Sequence, residues 1–211
     1  MIVAVDGPTA SGKGTIAKAL AAHFGLPHLD TGLLYRAVGR QVALSGGDPD
    51  DPADAAAACD FPESLLADPG LRGEDAGGLA SRVSIHPEVR RALYERQRAF
   101  ALQPGGAVLD GRDIGTVIAP EAEVKLFVVA SREARALRRF IELRDRGIEV
   151  TLDRIRREIR QRDKRDSTRA AAPLEAAQDA ILFDTSDLGR DEAIAGAIEL
   201  VRERLVGSRR S

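Results

Sequence analysis

Cysteine is almost missing from this chain, because Cys59 is the only one among 211 residues. A single cysteine excludes an intramolecular disulfide and a metal cluster held by several thiolates. We therefore expect an apolar core to hold the fold together. The lack of disulfides also suits the reducing environment of the cytoplasm.

Long apolar runs are lacking as well. No segment approaches the roughly 18 consecutive apolar residues that a membrane-spanning helix requires. The chain starts with Met1 and continues Ile-Val-Ala-Val-Asp6, without the basic segment and cleavage site of a signal peptide. We therefore predict a soluble, cytoplasmic protein that has no membrane partner.

Asparagine is absent, and lysine is rare, with four residues against 27 arginines. Guanine-nucleotide switch proteins recognise their base through an Asn-Lys-x-Asp element, so the lack of asparagine argues against that class. We expect most of the arginines, among them Arg138, Arg156 and Arg209, to be solvated charges on helix surfaces.

The net charge is small but unevenly distributed. With 31 basic and 33 acidic residues the formal charge is −2, which gives the whole molecule no electrostatic reason to bind a nucleic acid polymer. Residues 45–79 contain nine acidic residues and one base, whereas residues 132–169 contain fourteen bases and eight acids. The chain therefore carries one acidic and one basic segment.

Five short runs of β-branched and apolar residues alternate with helical patterns. The predicted strands cover residues 2–5, 28–29, 107–109, 124–130 and 180–183. The main predicted helices run from Lys13 to Phe24, closed by Gly25, and from the last strand to near Leu205. This alternation predicts an α/β fold of three layers, with a parallel five-stranded sheet between helices.

Two stretches depart from this alternation. Residues 45–78 are rich in Gly, Pro and Ala and show no clear element, so we expect an inserted subdomain or an exposed loop there. In the basic segment, Leu152, Ile155 and Ile159 recur at helical spacing among many arginines. That pattern predicts a helix with a narrow apolar stripe and a basic outer surface.

A glycine-rich loop lies between the first strand and the first helix. Its sequence, Gly7-Pro-Thr-Ala-Ser-Gly-Lys13, matches the phosphate-binding pattern G-x-x-x-x-G-K. Backbone N–H groups and the helix N-terminus would surround a phosphate chain, and Lys13 would reach its outer oxygens. Gly14 stands where Ser or Thr normally binds Mg²⁺, and the hydroxyl follows on Thr15. We assign nucleotide binding to Gly7, Pro8, Thr9, Ala10, Ser11, Gly12, Lys13, Gly14 and Thr15.

Polar residues follow two further strands. Asp110 ends the third strand, where a carboxylate can hold Mg²⁺ directly or through water, and Arg112 and Asp113 come next. Arg112 suits a phosphate, because its guanidinium can donate two parallel hydrogen bonds. Thr31 and Arg36 follow the second strand. A turn cap for Asp110, a helix cap for Thr31 and a solvated Arg36 remain open as simpler interpretations.

Four segments together resemble the bacterial cytidylate kinases, a family of nucleoside monophosphate kinases. They are residues 7–15, 30–36, 110–116, and 162–173 with 180–186. The resemblance implies a P-loop kinase fold and direct in-line transfer of the ATP γ-phosphate to CMP or dCMP. It also implies Mg²⁺ as a cofactor and a monomer. The acidic stretch around residues 45–79 resembles the family least, since members carry a longer, strand-rich insert there.

The resemblance also implies roles for individual residues. Those that match Thr31, Arg90 and Asp113 read the cytosine edge, and those that match Arg36 and Arg112 hold the monophosphate. The residues of the family that contact the sugar and the phosphates are matched here by Arg162, Asp166 and Arg169. The implied catalytic residues are Lys13, Arg112, Arg162 and Arg169, and the implied metal-binding residues are Thr15 and Asp110.

The implied domain organisation has three core segments and two appendages. Residues 1–36, 101–143 and 170–211 would form the core, residues 37–100 the monophosphate-binding helices with the acidic insert, and residues 144–169 a lid that closes over the phosphates. Two other functions stay open. One is a kinase of another monophosphate or small metabolite, and the other is a nucleotide-binding regulator that holds RNA on its arginine-rich face without catalysis.

Overall fold

The sheet has five parallel strands, as the alternation of the sequence predicts. The computed structural model describes residues 1–73 and 75–208. The strands are β1 (Ile2–Asp6), β2 (His28–Asp30), β3 (Ala107–Gly111), β4 (Val124–Val129) and β5 (Ile181–Asp184), in the spatial order β2-β3-β1-β4-β5. The predicted strands and the three-layer α/β class are thereby confirmed. β1 lies at the centre, so its carboxyl end meets the ends of β3 and β4.

Helices cover both faces of the sheet. They are α1 (Lys13–Phe24), α2 (Thr31–Leu44), α3 (Pro52–Ala57), α4 (Ala76–Val83), α5 (Pro87–Ala101), α6 (Arg132–Asp145), α7 (Leu152–Thr168) and α8 (Arg190–Ser208). Val3 and Val5 of β1 pack with α1 and α8 on one face. Ile2 and Ala4 pack on the other face with Ala101 at the end of α5. This alternation along one strand explains why β1 is apolar throughout.

The prediction of no clear element in residues 45–78 is wrong. The stretch contains α3, the start of α4, and two 3₁₀ turns at Glu63–Ala67 and Pro69–Arg72. Asp51 starts α3 by accepting hydrogen bonds from the backbone N–H groups of the first turn, and Pro52 occupies its first position. Phe61, Leu65 and Leu71 are buried in one cluster with α2. These elements are too short to show helical periodicity, which is why the pattern missed them.

The basic segment forms the predicted helix. α7 begins at Leu152, where the Thr151 Oγ1 atom accepts a hydrogen bond from the Arg154 N–H at 3.3 Å. Its apolar stripe, which includes Ile155 and Ile159, packs against Leu143 of α6. The two helices therefore form a hairpin with a small core of its own. In the described part of the chain, no helix is both long and apolar enough to cross a membrane.

Candidate active site

A cleft of about 540 Å³ opens at the carboxyl edge of the sheet. This is the edge at which open parallel sheets bind their ligands. Of the sequence-predicted residues, all but Gly7, Pro8 and Ser11 lie on its wall. The predicted residues that line the cleft are Thr9, Ala10, Gly12, Lys13, Gly14, Thr15, Thr31, Arg36, Arg90, Asp110, Arg112, Asp113, Arg162, Asp166 and Arg169.

The glycine-rich loop needs glycine at its first position for steric reasons. A Cβ on Gly7 would lie 2.1 Å from the backbone oxygen of Val128 on the neighbouring strand. Gly12, at φ 90°, precedes α1 in the left-handed conformation, which turns the chain into the helix. The Ser11 hydroxyl is buried and finds no hydrogen-bond partner within the described residues. The loop thus leads into a helix N-terminus that opens on the cleft.

Lys13 stands at the start of α1 with weak local pairing. Its Nζ atom donates a hydrogen bond of 3.4 Å to the backbone oxygen of Pro8. Burial, followed by the nearby Arg112 guanidinium, lowers the pKa of Lys13 to about 7. The carboxylates of Asp110 and Asp30 act to raise the pKa of Lys13, but their effect is smaller than that of burial and Arg112. The ammonium form therefore lacks sufficient negative charge around it, which an anionic ligand would supply.

Asp110 is the penultimate residue of β3, which continues to Gly111, one residue beyond the position predicted to end the strand. Its side chain is only 5% exposed, and its Oδ1 atom lies 2.7 Å from Nε2 of His28 on β2. Its Oδ2 atom faces α1, because a Cβ on Gly14 would lie 3.6 Å from it. The neighbouring Thr31 Oγ1 donates a hydrogen bond of 2.8 Å to the Asp110 backbone oxygen.

The oxygen atoms near the glycine-rich loop are too few to hold a metal ion by themselves, but they suit Mg²⁺ that is also bound by phosphates and water. The described residues contain no cluster of three or more His, Cys, Asp or Glu that could hold a metal. Asp110 offers one carboxylate oxygen toward α1, and the exposed Thr15 offers a hydroxyl on the first turn of that helix. Mg²⁺ binds through one or two protein oxygens, with substrate phosphates and water completing its shell. The residues present therefore fit a nucleotide-bound Mg²⁺.

Two arginines flank Asp113 in the cleft. Arg90 forms a short ion pair with Asp113, and the Arg169 Nη2 atom lies 3.9 Å from the other Asp113 oxygen. The Arg90 guanidinium also lies over the Tyr35 ring, 5.6 Å from its centroid. These contacts join α2, α5 and the end of α7 around one carboxylate. The structure thus brings Arg90, Asp113 and Arg169 together in one part of the cleft.

A second ion pair links the strand edge to α7. The Arg112 Nε atom donates a hydrogen bond of 2.8 Å to Asp166 Oδ2. Burial raises the pKa of Asp166, but Arg112, Arg162 and Arg169 together bring it below its ordinary value. Arg36 pairs separately with Asp30 at 2.5 Å. Each of these guanidiniums retains further N–H groups that can bind an anion.

Arg162 is, like Lys13, a cation of the cleft with little compensating negative charge. Its Nε atom is buried and has no hydrogen-bond partner in the described part of the chain. Burial and the nearby Arg112 lower its pKa to about 10, which is far below the usual value for arginine. The Arg169 Nη2 atom is likewise buried without a hydrogen bond among the described residues. Cationic N–H groups of this kind are available to bind an anion.

The expectation that Arg138 is a solvated charge on a helix surface is wrong. Its guanidinium is half-buried and lines the cleft, where it donates to the backbone oxygens of Thr185 and Leu188. It is therefore not a solvated surface charge, and the signal that was missed is its position in the second turn of α6, the helix that follows β4. Arg156 does lie on the surface, where it pairs with Glu133 and Asp153. Arg209 lies outside the described residues.

Asp6 was also missed. It ends β1 with 5% exposure, and its two carboxylate oxygens accept hydrogen bonds from the backbone N–H groups of Ile114 and Gly115 at 2.9 and 2.8 Å. Burial raises the pKa of Asp6 to about 7, although the two hydrogen bonds from the backbone act to lower it. Asp6 thus ties the start of the glycine-rich loop to the turn that follows Asp113. Besides Arg138, the cleft wall includes these unpredicted polar residues: Lys18, Asp30, Tyr35, Ser81, Ser84, Arg139, Glu142 and Arg146.

Comparison with known proteins identifies the family. The family model described as "Cytidylate kinase" matches residues 3–203. Curated proteins named "Cytidylate kinase" from Methylocella silvestris and Xanthobacter autotrophicus are each 54% identical over 207 residues, which cover 95% and 98% of this chain and 94% and 100% of theirs. One from Rhodopseudomonas palustris strain TIE-1 is 53% identical over 211 residues, the full length of both chains.

A solved structure agrees in fold alone. An uncharacterized protein from Eubacterium ventriosum superposes with a TM-score of 0.55 at 16% identity, over 96% of this chain and 98% of that one. The family assignment rests instead on the sequence relatives, which share more than half of their residues with this protein over nearly the whole length. On this evidence the chain belongs to the cytidylate kinase family, whose members are phosphotransferase enzymes.

Proposed function

We propose that this protein transfers the γ-phosphoryl group of ATP to CMP and dCMP, and that it forms ADP with CDP or dCDP. The observation that supports this most directly is that the cleft has two groups of residues that can each bind a charged ligand. A glycine-rich loop with Lys13 lies on one side, and Arg36, Arg90 and Asp113 lie on the other. A protein that only binds one nucleotide has no need of a second anion site facing the first.

The donor half of the cleft suits the phosphates of ATP. The N-terminus of α1 offers free backbone N–H groups and the positive end of the helix dipole. Lys13 adds a cation whose lowered pKa favours a ligand that restores negative charge around it. Thr15 and Asp110 would hold Mg²⁺, which supplies charge neutralisation to the phosphate oxygens when it is bound.

The acceptor half suits cytosine. The base presents an N4 amine as a donor and N3 and O2 as acceptors. Asp113 can accept from the amine, and Arg90 can donate to the acceptors. The Thr31 hydroxyl already donates to the Asp110 backbone, so toward a ligand it can only accept. This polarity is appropriate for an amine and unfavourable for the O4 carbonyl of uracil. Arg36 and Arg112 would bind the monophosphate, and Asp166 with Arg169 would bind the sugar.

Catalysis then consists of alignment and charge stabilisation. Phosphoryl transfer requires the acceptor oxygen in line with the bond that breaks, and it needs positive charge around the three equatorial oxygens. Arg112 and Arg162 are in electrostatic contact with each other and with Lys13 between the two halves. Like-charged groups so close together favour a ligand that carries several negative charges. We also propose that the chain acts as a monomer, because its own residues form both halves of the cleft.

An ADP-release assay tests the function. The purified protein would be given Mg·ATP with CMP, dCMP, UMP, AMP, dTMP or shikimate in turn. We expect rapid release with CMP and dCMP, slower release with UMP, and none with the others. Release with a different acceptor alone would indicate another kinase, and no release with any acceptor would refute the proposal and favour the RNA-binding regulator.

A matched pair of variants tests the acceptor half. Arg36 lines the cleft, whereas Arg40, one turn further along α2, pairs with Asp68 and does not line it. We expect Arg36→Ala to raise the KM for CMP by about 10-fold or more, as expected for a lost charged hydrogen bond, with little change in the KM for ATP. Arg40→Ala should change neither KM.

A further inference from the structure

His28 and Asp110 meet across two neighbouring strands. β2 and β3 pair in parallel with Asp30 opposite Asp110, so His28 lies two residues before that pair on the same face of the sheet. From there its Nε2 atom reaches Asp110 Oδ1 at 2.7 Å. The two side chains are 15% and 5% exposed. This is a short, shielded contact at the edge of the cleft, and none of the roles assigned above uses His28.

The contact constrains the direction of the Asp110 carboxylate. An ionised carboxylate only accepts hydrogen bonds, so the Nε2 atom of His28 donates. With Oδ1 engaged by His28, Oδ2 is the oxygen that faces Gly14 and the first turn of α1. Rotation of the carboxyl group would break the contact with His28. The carboxylate is thereby held with one oxygen toward the sheet edge and the other toward the nucleotide side.

We propose that His28 is a positioning residue for the metal-binding carboxylate: its hydrogen bond to Asp110 Oδ1 orients Oδ2 toward nucleotide-bound Mg²⁺. This inference rests on the proposed function, because it takes Asp110 as a ligand of that ion. Carboxylates that bind metals are usually held by hydrogen bonds of this kind, and their loss costs about 10–100-fold in metal affinity or activity.

The charges near His28 make a merely structural role a weaker explanation. Asp30 and Asp110 oppose each other at the strand ends, and Arg36 pairs with Asp30. His28 is the side chain that bonds directly to Asp110. A buried carboxylate without such a partner would be free to rotate or would need another donor. Hence the two carboxylates of this edge receive separate partners, Arg36 for Asp30 and His28 for Asp110.

Calorimetric titration with ATP tests the inference without relying on turnover. The affinity for ATP would be measured with Mg²⁺ and again with EDTA, for wild type, His28→Leu and His28→Gln. Leu removes the donor at similar size, whereas Gln keeps an N–H donor. We expect His28→Leu to lose about 10–100-fold in affinity for Mg·ATP, with metal-free ATP and CMP bound as in wild type. His28→Gln should regain most of the loss.

His23→Leu is the matched control, since His23 is exposed on α1 and contacts Arg202 away from the cleft. Unchanged Mg·ATP affinity in His28→Leu would overturn the inference. So would an equal loss for Mg·ATP, metal-free ATP and CMP, because that pattern indicates a folding defect. A wild-type affinity that does not depend on Mg²⁺ would overturn it as well. The ADP-release assay with CMP decides the proposed function separately.

Discussion

Arg135 and Asp163 form a two-point ion pair between α6 and α7, with both N–O distances at 2.8 Å. Arg135 is only 4% exposed, and its guanidinium also donates to the backbone oxygens of Ala130 and, at 3.3 Å, of Thr9 in the glycine-rich loop. Asp163 directly precedes Lys164 and follows Arg162, whose Nε atom is buried without a hydrogen-bond partner among the described residues. A single side chain therefore connects α7 to the glycine-rich loop.

Breaking this pair should cost considerable stability. We expect Asp163→Ala to lower the free energy of unfolding by about 3–5 kcal/mol, because it leaves the Arg135 guanidinium buried without its counter-charge. Urea denaturation measures the loss. The exposed pair between Glu133 and Arg156 is the control, and Glu133→Ala should change the unfolding midpoint little. The double variant Arg135→Met, Asp163→Leu should recover most of the loss, and failure to recover would contradict the charge explanation.

Arg162→Ala should separate activity from stability. We expect turnover to fall by about 1,000-fold or more, the range observed when an arginine that stabilises transferred phosphoryl groups is lost. The melting temperature should stay unchanged or rise. The lowered pKa of Arg162 means that the charged form of this side chain is disfavoured in the folded protein. Arg160→Ala, on the exposed side of the same helix, should retain activity. Near-normal turnover in Arg162→Ala would show that Arg162 is not a catalytic residue.

Nucleotide binding should be linked to protonation of Lys13. With a pKa of about 7, this side chain is mostly neutral at pH 8 in the free protein, and phosphate oxygens would favour its charged form. We expect ATP binding at pH 8 to take up a proton, and binding at pH 6 to take up almost none. Calorimetry in buffers of different ionisation enthalpy measures this uptake. Lys13→Met should abolish it, and buffer-independent heats for wild type at pH 8 would contradict the prediction.

Asp113→Asn should affect cytosine recognition more than ATP binding. The variant keeps the size of the side chain but leaves Arg90 and Arg169 without their shared counter-charge. We expect the preference for CMP over UMP, measured as a ratio of kcat/KM values, to fall by about 10-fold or more, with the KM for ATP nearly unchanged. Asp153→Asn, an exposed carboxylate on α7, serves as the control. Equal losses for CMP and ATP would refute the assignment.

The stability of the free protein should depend on pH through Asp6. The folded pKa of about 7 exceeds the ordinary value of 3.8, so between these values the folded protein binds a proton that the unfolded chain does not. Stability contributed by this group is therefore lost as pH rises from about 4 to about 7. We expect Asp6→Asn to lose less stability than wild type over this window in urea denaturation. Parallel curves for the two proteins would show that Asp6 does not titrate there.

Much of the architecture could be predicted from local patterns. The buried strands are continuous apolar runs because helices cover both of their faces, and α1 is bounded by glycines that adopt left-handed conformations. The failure at residues 45–78 has a physical reason. The apolar residues of this stretch stand singly in short elements, so their sequence shows no period. Only the contact of Phe61, Leu65 and Leu71 with α2 shows that they belong to a core.

The sequence by itself determined the sheet, the glycine-rich loop and most residue types of the cleft, because strand ends and helix starts follow from short-range chemistry. Only the tertiary structure decided which charges meet. Arg112 and Asp166 are 54 positions apart, and His28 and Asp110 are 82 apart, so no local pattern could pair them. It also decided that Arg138 lines the cleft while Arg156 stays on the surface. Burial and pairing are properties of the packed chain, and the reactivity of each charge follows from them.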